Sequence, residues 1–394
     1  MANLETTFTG IRFPNPFLIS SSPSSINASM IKKAFRAGWG GVVLKTIGMI
    51  PTENPCPRML TLKDGRHKVG VVNIEQISGL TQEQWGKELD DIRAEFPDRP
   101  IIASIAANAS KSDWQTLVTS LEPHGVNVFE ISLSCPITDA EDEIYLNLDA
   151  ESFHKVVPWI REVSNLPIWI KLSPEPDAVV GLPKAALDAG ADAVVATDTM
   201  PGLAGIDLDT FSPLPSVNGI GTFGGYSGPG IKPISLRCVA NIGLWGKLPV
   251  AGCGGISRWS DAAEYHAVGA GLVQVCTAVM WNGFNIVDKM KEGLSKYLDD
   301  HGMTSVDELR GKALPQLRPF PEIDLALRKQ AYILPEKCKG CNLCIITCDA
   351  AAFEAIEMTD DKKAVVSVLR CDGCGLCLGV CSFDAIRMVD KQPG

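Results

Sequence analysis

Eight short stretches of almost unbroken apolar, often β-branched residues punctuate the chain, at residues 17–22, 41–46, 101–106, 128–134, 168–173, 193–199, 249–254 and 272–278. Between them, apolar residues recur at the helical interval in residues 30–37, 113–121, 152–163, 178–189, 260–268 and 287–298. A strand that is apolar at nearly every position is buried on both faces, as in a parallel sheet covered by helices. Eight such units over roughly 280 residues predict an α/β fold, a (β/α)8 TIM barrel, which typically needs ~250 residues. An open doubly wound sheet is the competing arrangement.

Two connections are longer than a barrel requires. One spans residues 47–80 and the other residues 200–230, the second rich in glycine. Both follow strand C-termini, the face where barrels keep their sites, so both are expected to be binding loops or lids. The segment Leu-Pro-Gln-Leu-Arg-Pro-Phe-Pro at 314–321 reads as an extended linker. The pattern therefore divides the chain into a barrel over residues 1–312, a linker over 313–330 and a small module over 331–394.

The last 57 residues change the picture, because eight of the thirteen cysteines fall there in two copies of one spacing. Cys338, Cys341, Cys344 and Cys348 form one C-x2-C-x2-C-x3-C run; Cys371, Cys374, Cys377 and Cys381 form the other. That spacing holds iron–sulfur cubes of the bacterial ferredoxin type, with the fourth cysteine of each run crossing to the other cluster. It assigns Cys338, Cys341, Cys344 and Cys381 to one [4Fe-4S] cluster and Cys371, Cys374, Cys377 and Cys348 to its partner. Zinc is the alternative, but a zinc knuckle uses two cysteines and would leave a third at the same interval idle. Asp349 and Ser382 stand where many ferredoxins have proline, a position that ligates nothing.

With 394 residues and 45% hydrophobic composition the chain can bury a large core, and no apolar run approaches the ~20 residues of a membrane span. The N-terminus carries no secretion-signal pattern, and the thiol content suits a reducing cytoplasm. A formal charge of −10 offers no basic face to a nucleic acid.

Clusters pass single electrons, whereas organic substrates and nicotinamides exchange pairs, and a flavin converts between the two. The turns after strands seven and eight, at Gly254 and Gly255 and at Cys276 and Thr277, are where barrels bind phosphate, so FMN is the economical cofactor. A G-x-G-x-x-G at Gly219, Gly221 and Gly224 lacks the strand before it and the helix after it that a dinucleotide site needs. Lys45 and Lys171 end strands two and five, where a cation would stabilise reduced flavin; reaching solvent is the ordinary alternative. Cys135, in Ser-Leu-Ser-Cys-Pro after strand four, has a thiol that can donate a proton. By itself a cysteine before proline is more often a buried small hydrophobe.

At these residues the barrel resembles the dihydroorotate dehydrogenase superfamily, and barrel plus cysteine module together look like the catalytic subunits of NAD-dependent dihydropyrimidine dehydrogenases. The resemblance rests on Phe-Pro-Asn-Pro-Phe at 13–17, Ser-Ser-Ser-Pro at 20–23, Gly-Trp-Gly-Gly at 38–41, Lys45-Thr46, Asn-Ile-Glu-Gln at 73–76, Ser134-Cys135-Pro136, Gly-Tyr-Ser-Gly at 225–228 and Gly254-Gly255. It implies that FMN contacts Ser21, Ser22, Lys45, Lys171, Ser227, Gly228, Gly254, Gly255, Cys276 and Thr277. Cys135 matches the family's general acid. Members work with a partner subunit carrying FAD and the NAD(P)H site, which implies a hetero-oligomer, a dimer of heterodimers or tetramer.

The substrate positions depart from the pyrimidine pattern. Asn73 and Thr199 match it, but Ser132 and Asp198 stand where asparagines are expected. An ionised aspartate offers acceptors only, where asparagine offers donors as well. The acidic stretch 137–143 would disfavour an anionic substrate such as orotate. Reduction or oxidation of a cyclic C=C bond, most naturally in a pyrimidine, is the expected reaction. The same chemistry on a non-pyrimidine substrate, and a barrel that only relays electrons, are the alternatives.

Overall fold

The computed structural model describes residues 2–133, 149–174 and 176–391, without the side chains of residues 176–180. The chain divides into two compact units, Met1–Gln316 and Leu317–Gly394. In the first unit eight strands close into a barrel. They are β1 (Phe17–Ile19), β2 (Gly41–Val43), β3 (Ile101–Ile105), β4 (Val128–Ser132), β5 (Ile168–Leu172), β6 (Ala193–Ala196), β7 (Val250–Cys253) and β8 (Ala270–Val275). Each pairs in parallel with the next, and β8 pairs with β1. Every strand overlaps one of the apolar stretches, and closure excludes the open doubly wound sheet.

Around the barrel run α1 (Ala28–Ala37), α2 (Gln82–Glu95), α3 (Lys111–Leu121), α4 (Ala150–Arg161), α5 (Pro176–Asp188), α6 (Lys232–Trp245), α7 (Trp259–Ala267), α8 (Thr277–Asn282) and α9 (Ile286–Asp300). Strand alternation sorts the side chains into two cores. In β5, Ile168, Ile170 and Leu172 pack under the helices, while Trp169 points into the barrel. Phe8 and Phe13, from an antiparallel hairpin of Thr6–Phe8 with Ile11–Phe13, join that interior, the Phe8 ring lying 5.1 Å from Trp169. The sequence pattern missed this hairpin as well as α2, α6 and α8. The start of α2 was marked all the same: Thr81 and Gln84 form a capping box, the Thr81 hydroxyl accepting from Gln84 N at 3.2 Å.

The two long connections meet. Met59–Asp64 and His67–Asn73 come from the first, Met200–Gly202 and Gly224–Ser227 from the second, and they form one four-stranded antiparallel sheet. Residues 313–316, expected in the linker, belong with the barrel: the Leu314 side chain packs where Gly243, Gly269 and Gly311 leave room. Among the described residues no helix is long and apolar enough to cross a membrane.

The second unit pairs Lys329–Ile333 with Ile386–Asp390 and Ile356–Met358 with Ala364–Val366, and adds α10 (Leu343–Ala350) and α11 (Leu376–Gly379). Its small core is made of Ala331, Ile333, Ala355, Ile356 and Ala364 together with cysteines.

Candidate active site

At the C-terminal strand ends, Ser21, Lys171, Ser227, Gly228, Gly254, Gly255, Cys276 and Thr277 surround one cavity, with Asp198 and Thr199 in the same lining. Gly254 has φ +126°, and its carbonyl accepts the Tyr265 hydroxyl at 2.6 Å, which fixes the turn after β7. Gly255 (φ +72°) lies so close to the first turn of α6 that a Cβ would come 2.6 Å from Lys232 Cβ. The Ser227 and Thr277 hydroxyls are 2.8 Å apart. Hydroxyls and glycine backbone with no acidic side chain among them make this end of the cavity suited to an anion.

The other end carries charge. Lys171 Nζ lies 3.4 Å from Asp198 Oδ1, and the Thr199 N–H donates to the same oxygen at 2.7 Å. Burial pushes the Cys276 thiol up, against the pull of Lys171 and Lys45, and pushes Cys253 up to about 12. Both are neutral thiols.

Four expected residues lie outside that lining. Ser22 is buried and caps the short turn Pro23–Ser25, its hydroxyl accepting from Ser24 N at 3.2 Å. Lys45 is held by the buried Glu75 at 3.0 Å, which Arg58 also binds at 3.0 Å. Asn73 ties the new sheet together, donating to Gly225 O at 3.1 Å and accepting from Glu75 N at 3.2 Å. Ser132 ends β4, buried beside Lys171 in the strand register. Cys135 lies outside the described residues.

Beneath the cavity sits a polar layer that the sequence reading passed over. Gln274 of β8 donates to Glu130 Oε2 of β4 at 2.7 Å and accepts from the Ser20 hydroxyl at 3.2 Å. Thr197 and Ser235 hydroxyls meet at 2.7 Å. The signal was available: Glu130 and Gln274 are polar at inward positions of otherwise apolar strands.

In the second unit, Cys338, Cys341, Cys344 and Cys381 line one cavity, and Cys348, Cys371, Cys374 and Cys377 line another. Positive-φ residues recur in step through both runs, Gly340 and Asn342 in one and Gly373 and Gly375 in the other. These turns coil each run so that three thiols face inward. Among the described residues no group of three His, Cys, Asp or Glu side chains gathers in a way that would hold a single metal ion; the thiols instead ring their cavities. Backbone N–H groups point at sulfur, from Ala364 to Cys338 at 3.5 Å, from Ala331 to Cys371 at 3.5 Å and from Ala355 to Cys348 at 3.3 Å. Burial, then the neighbouring Cys374 and Cys371, raise Cys377 to about 11. Crowded thiols of this kind suit a cationic iron core, which relieves their mutual repulsion.

A parallel barrel with its site at the strand ends, followed by a module of two four-cysteine runs, suits a flavin- and iron–sulfur-dependent redox protein. Residues 3–298 match the dihydroorotate dehydrogenase family model and residues 331–388 the 4Fe-4S dicluster domain model, and the chain belongs to the dihydroorotate dehydrogenase family. It is an oxidoreductase acting on CH–CH bonds. The chain is 34% identical to the NAD-dependent dihydropyrimidine dehydrogenase subunit PreA of Escherichia coli K12, over 91% of this chain and 88% of that protein. The chloroplastic dihydropyrimidine dehydrogenase (NADP(+)) of Arabidopsis thaliana is 33% identical over 79% of this chain and 77% of its own length. The catalytic subunit of dihydroorotate dehydrogenase B (NAD(+)) from Pyrococcus abyssi is 35% identical, over 79% of this chain and 99% of its own.

Proposed function

We propose that the chain interconverts a cyclic pyrimidine-type amide with its 5,6-dihydro form, using FMN in the barrel cavity and two [4Fe-4S] clusters in the second unit. A partner subunit that binds FAD and NAD(P) supplies or removes the electrons. The observation that carries this reading is the cavity at the strand ends, with a glycine and hydroxyl end for phosphate and a lysine end for the isoalloxazine. The two four-cysteine cavities on the same chain support it, as does similarity to a protein whose printed name makes it a subunit of an NAD-dependent dihydropyrimidine dehydrogenase.

A bound flavin supplies the exchange between single electrons and a hydride. The chain's own residues do the rest. Ser227, Gly228, Gly254, Gly255 and Thr277 hold the phosphate end, with Ser21 and Cys276 closing the cavity. Lys171 would supply the cation that stabilises the negative charge of a reduced flavin bound in this cavity. Cys135 gives a proton to one carbon of the double bond as hydride reaches the other. Ser22 and Lys45 support this lining from behind, Ser22 through the turn it caps and Lys45 through Glu75. Cys338, Cys341, Cys344 and Cys381 hold one cluster; Cys348, Cys371, Cys374 and Cys377 hold the other.

Asp198 shapes the choice of substrate, along with Thr199, Asn73 and Ser132. Fixed by Lys171 and Thr199 N–H, its carboxylate accepts from a ring N–H and repels a ring carboxylate. A neutral ring is thus favoured over orotate. The same feature favours, as a second reading, a non-pyrimidine ring with an N–H at that point.

The test is anaerobic mixing of the oxidised holoprotein with dihydrouracil, dihydrothymine, dihydroorotate and unrelated cyclic dihydro-amides while the flavin absorbance is followed. Bleaching by the dihydropyrimidines, lost in Cys135→Ala with the flavin spectrum intact, is expected. Bleaching by none of the pyrimidine compounds overturns the substrate, and turnover unaffected by Cys135→Ala overturns the acid.

A further inference from the structure

Three ionisable side chains from neighbouring strands stand together at the floor of the barrel cavity: Lys171 of β5 and Asp198 just past β6 in its lining, and Glu130 of β4 buried beneath them. One ammonium faces two carboxyl groups. Lys171 Nζ is 3.4 Å from Asp198 Oδ1. Glu130 is fully buried, and its Oε2 receives one neutral hydrogen bond, from Gln274 Nε2 at 2.7 Å. Its Oε1 is buried with no hydrogen-bond partner among the described residues. Among the described residues the other titratable groups of the layer are the neutral thiols of Cys253 and Cys276, and Lys45, which Glu75 holds. Among the described residues the layer offers no further cation for a second carboxylate.

A carboxylate needs several donors or a dedicated cation to stay charged in such surroundings. We propose that Glu130 is held as a neutral carboxylic acid at neutral pH, and that in this state it is a positioning residue that leaves Lys171 to Asp198 and the cavity. Burial favours the neutral form; Lys171 and Gln274 pull the other way, and the charge of Asp198 reinforces burial. Ionising Glu130 would set a second carboxylate under Lys171, draw the ammonium down into the barrel and weaken the cavity's hold on an electron-rich ring. Asp198 thus governs Glu130 through the lysine they share. Removing the charge at 198 frees Lys171 to stabilise ionised Glu130. The protonation state stands apart from the cavity's ligand, whereas the effect on affinity rests on the flavin reading.

Infrared spectroscopy of the full-length, cofactor-loaded protein tests it. At neutral pH the wild type should show a protonated-carboxyl carbonyl band that shifts on labelling with heavy-isotope glutamate. The band should be absent in Glu130→Gln and strongly reduced in Asp198→Asn. Isotope labelling keeps the assignment possible if Glu130→Gln fails to fold, because among the described residues Glu130 is the one glutamate that is buried as a whole residue, while Glu75 is ion-paired with Lys45 and Arg58. FMN affinity of the wild type, measured by fluorescence, should weaken by up to about tenfold per pH unit once Glu130 ionises. Glu130→Gln should lack that limb. Absence of the band in folded wild-type protein overturns the proposal. If no variant takes up FMN, the flavin reading fails and the infrared band still decides the state of Glu130.

Discussion

Replacing Gly254 by alanine tests whether the turn after β7 is as tightly packed as its geometry implies. The residue sits at φ +126°, where an L side chain strains the backbone by ~1–3 kcal/mol. A Cβ built there would lie 2.2 Å from Ser235 Oγ and 2.6 Å from Ser235 Cβ. Ser235 is completely buried on α6, and its Cβ cannot swing aside without moving the helix. Displacing it breaks the 2.7 Å hydroxyl pair with Thr197, a further ~1–3 kcal/mol for a buried polar group left unpaired. The sum is ~2–6 kcal/mol, which at ~2.1 cal/mol/K of unfolding entropy per residue lowers the Tm of a unit of this size by about 3–9 °C. Gly65→Ala is the control, because Gly65 (φ +55°) has nothing within 4 Å of a built Cβ and should lose only ~1–2 kcal/mol of backbone strain. All eight tryptophans precede residue 317, so tryptophan fluorescence during heating reports on the barrel unit by itself. Flavin retained after desalting should fall in Gly254→Ala and stay at the wild-type level in Gly65→Ala. Equal melting of the two variants, with equal flavin retention, would refute the packing argument.

Three further outcomes follow from the geometry. Cys381→Ser should alter the same electron paramagnetic resonance signal as Cys338→Ser or Cys341→Ser, because these cysteines share a cavity; matching the Cys374→Ser signal instead would disprove the crossing. Glu130 has its folded carboxyl raised above the unfolded value, so it binds a proton in the fold that it loses on unfolding. Wild-type stability relative to Glu130→Gln should therefore be greatest in acid and decline by ~1.4 kcal/mol per pH unit as pH rises above about 4.3. A Tm difference that is flat from pH 5 to 7 would contradict this. Asp198→Asn should raise kcat/KM for rings presenting a carbonyl at that point and lower it for rings presenting only N–H, each by about tenfold; an unchanged ratio would remove Asp198 from substrate contact.

The eight strands were legible because a parallel strand buried on both faces must be apolar at nearly every position, and no helix of this amphipathic chain mimics that. Cysteine spacing was legible for a similar reason: thiols three residues apart on a coiled loop face one way wherever the loop is placed. The sheet made by the two long connections was not. Asn73 and Gly225 are 152 residues apart, and glycine-rich strands carry almost no alternation to announce their pairing. Ser22 and Asn73 matched a familiar motif, yet their side chains cap a turn and pin a strand, roles that depend on neighbours brought close by the fold.

What the chain's residues determined unaided was the barrel, a separate module of two four-cysteine runs and the chemical types gathered at the strand ends, because periodicity and spacing are properties of a few consecutive turns. Closing the barrel decided the rest. Only closure sets Glu130 of the fourth strand against Gln274 of the eighth, and only the order of strands puts one lysine beside two carboxyl groups. Charge in a buried layer depends on distances across the barrel, and those distances exist only once every strand is in place.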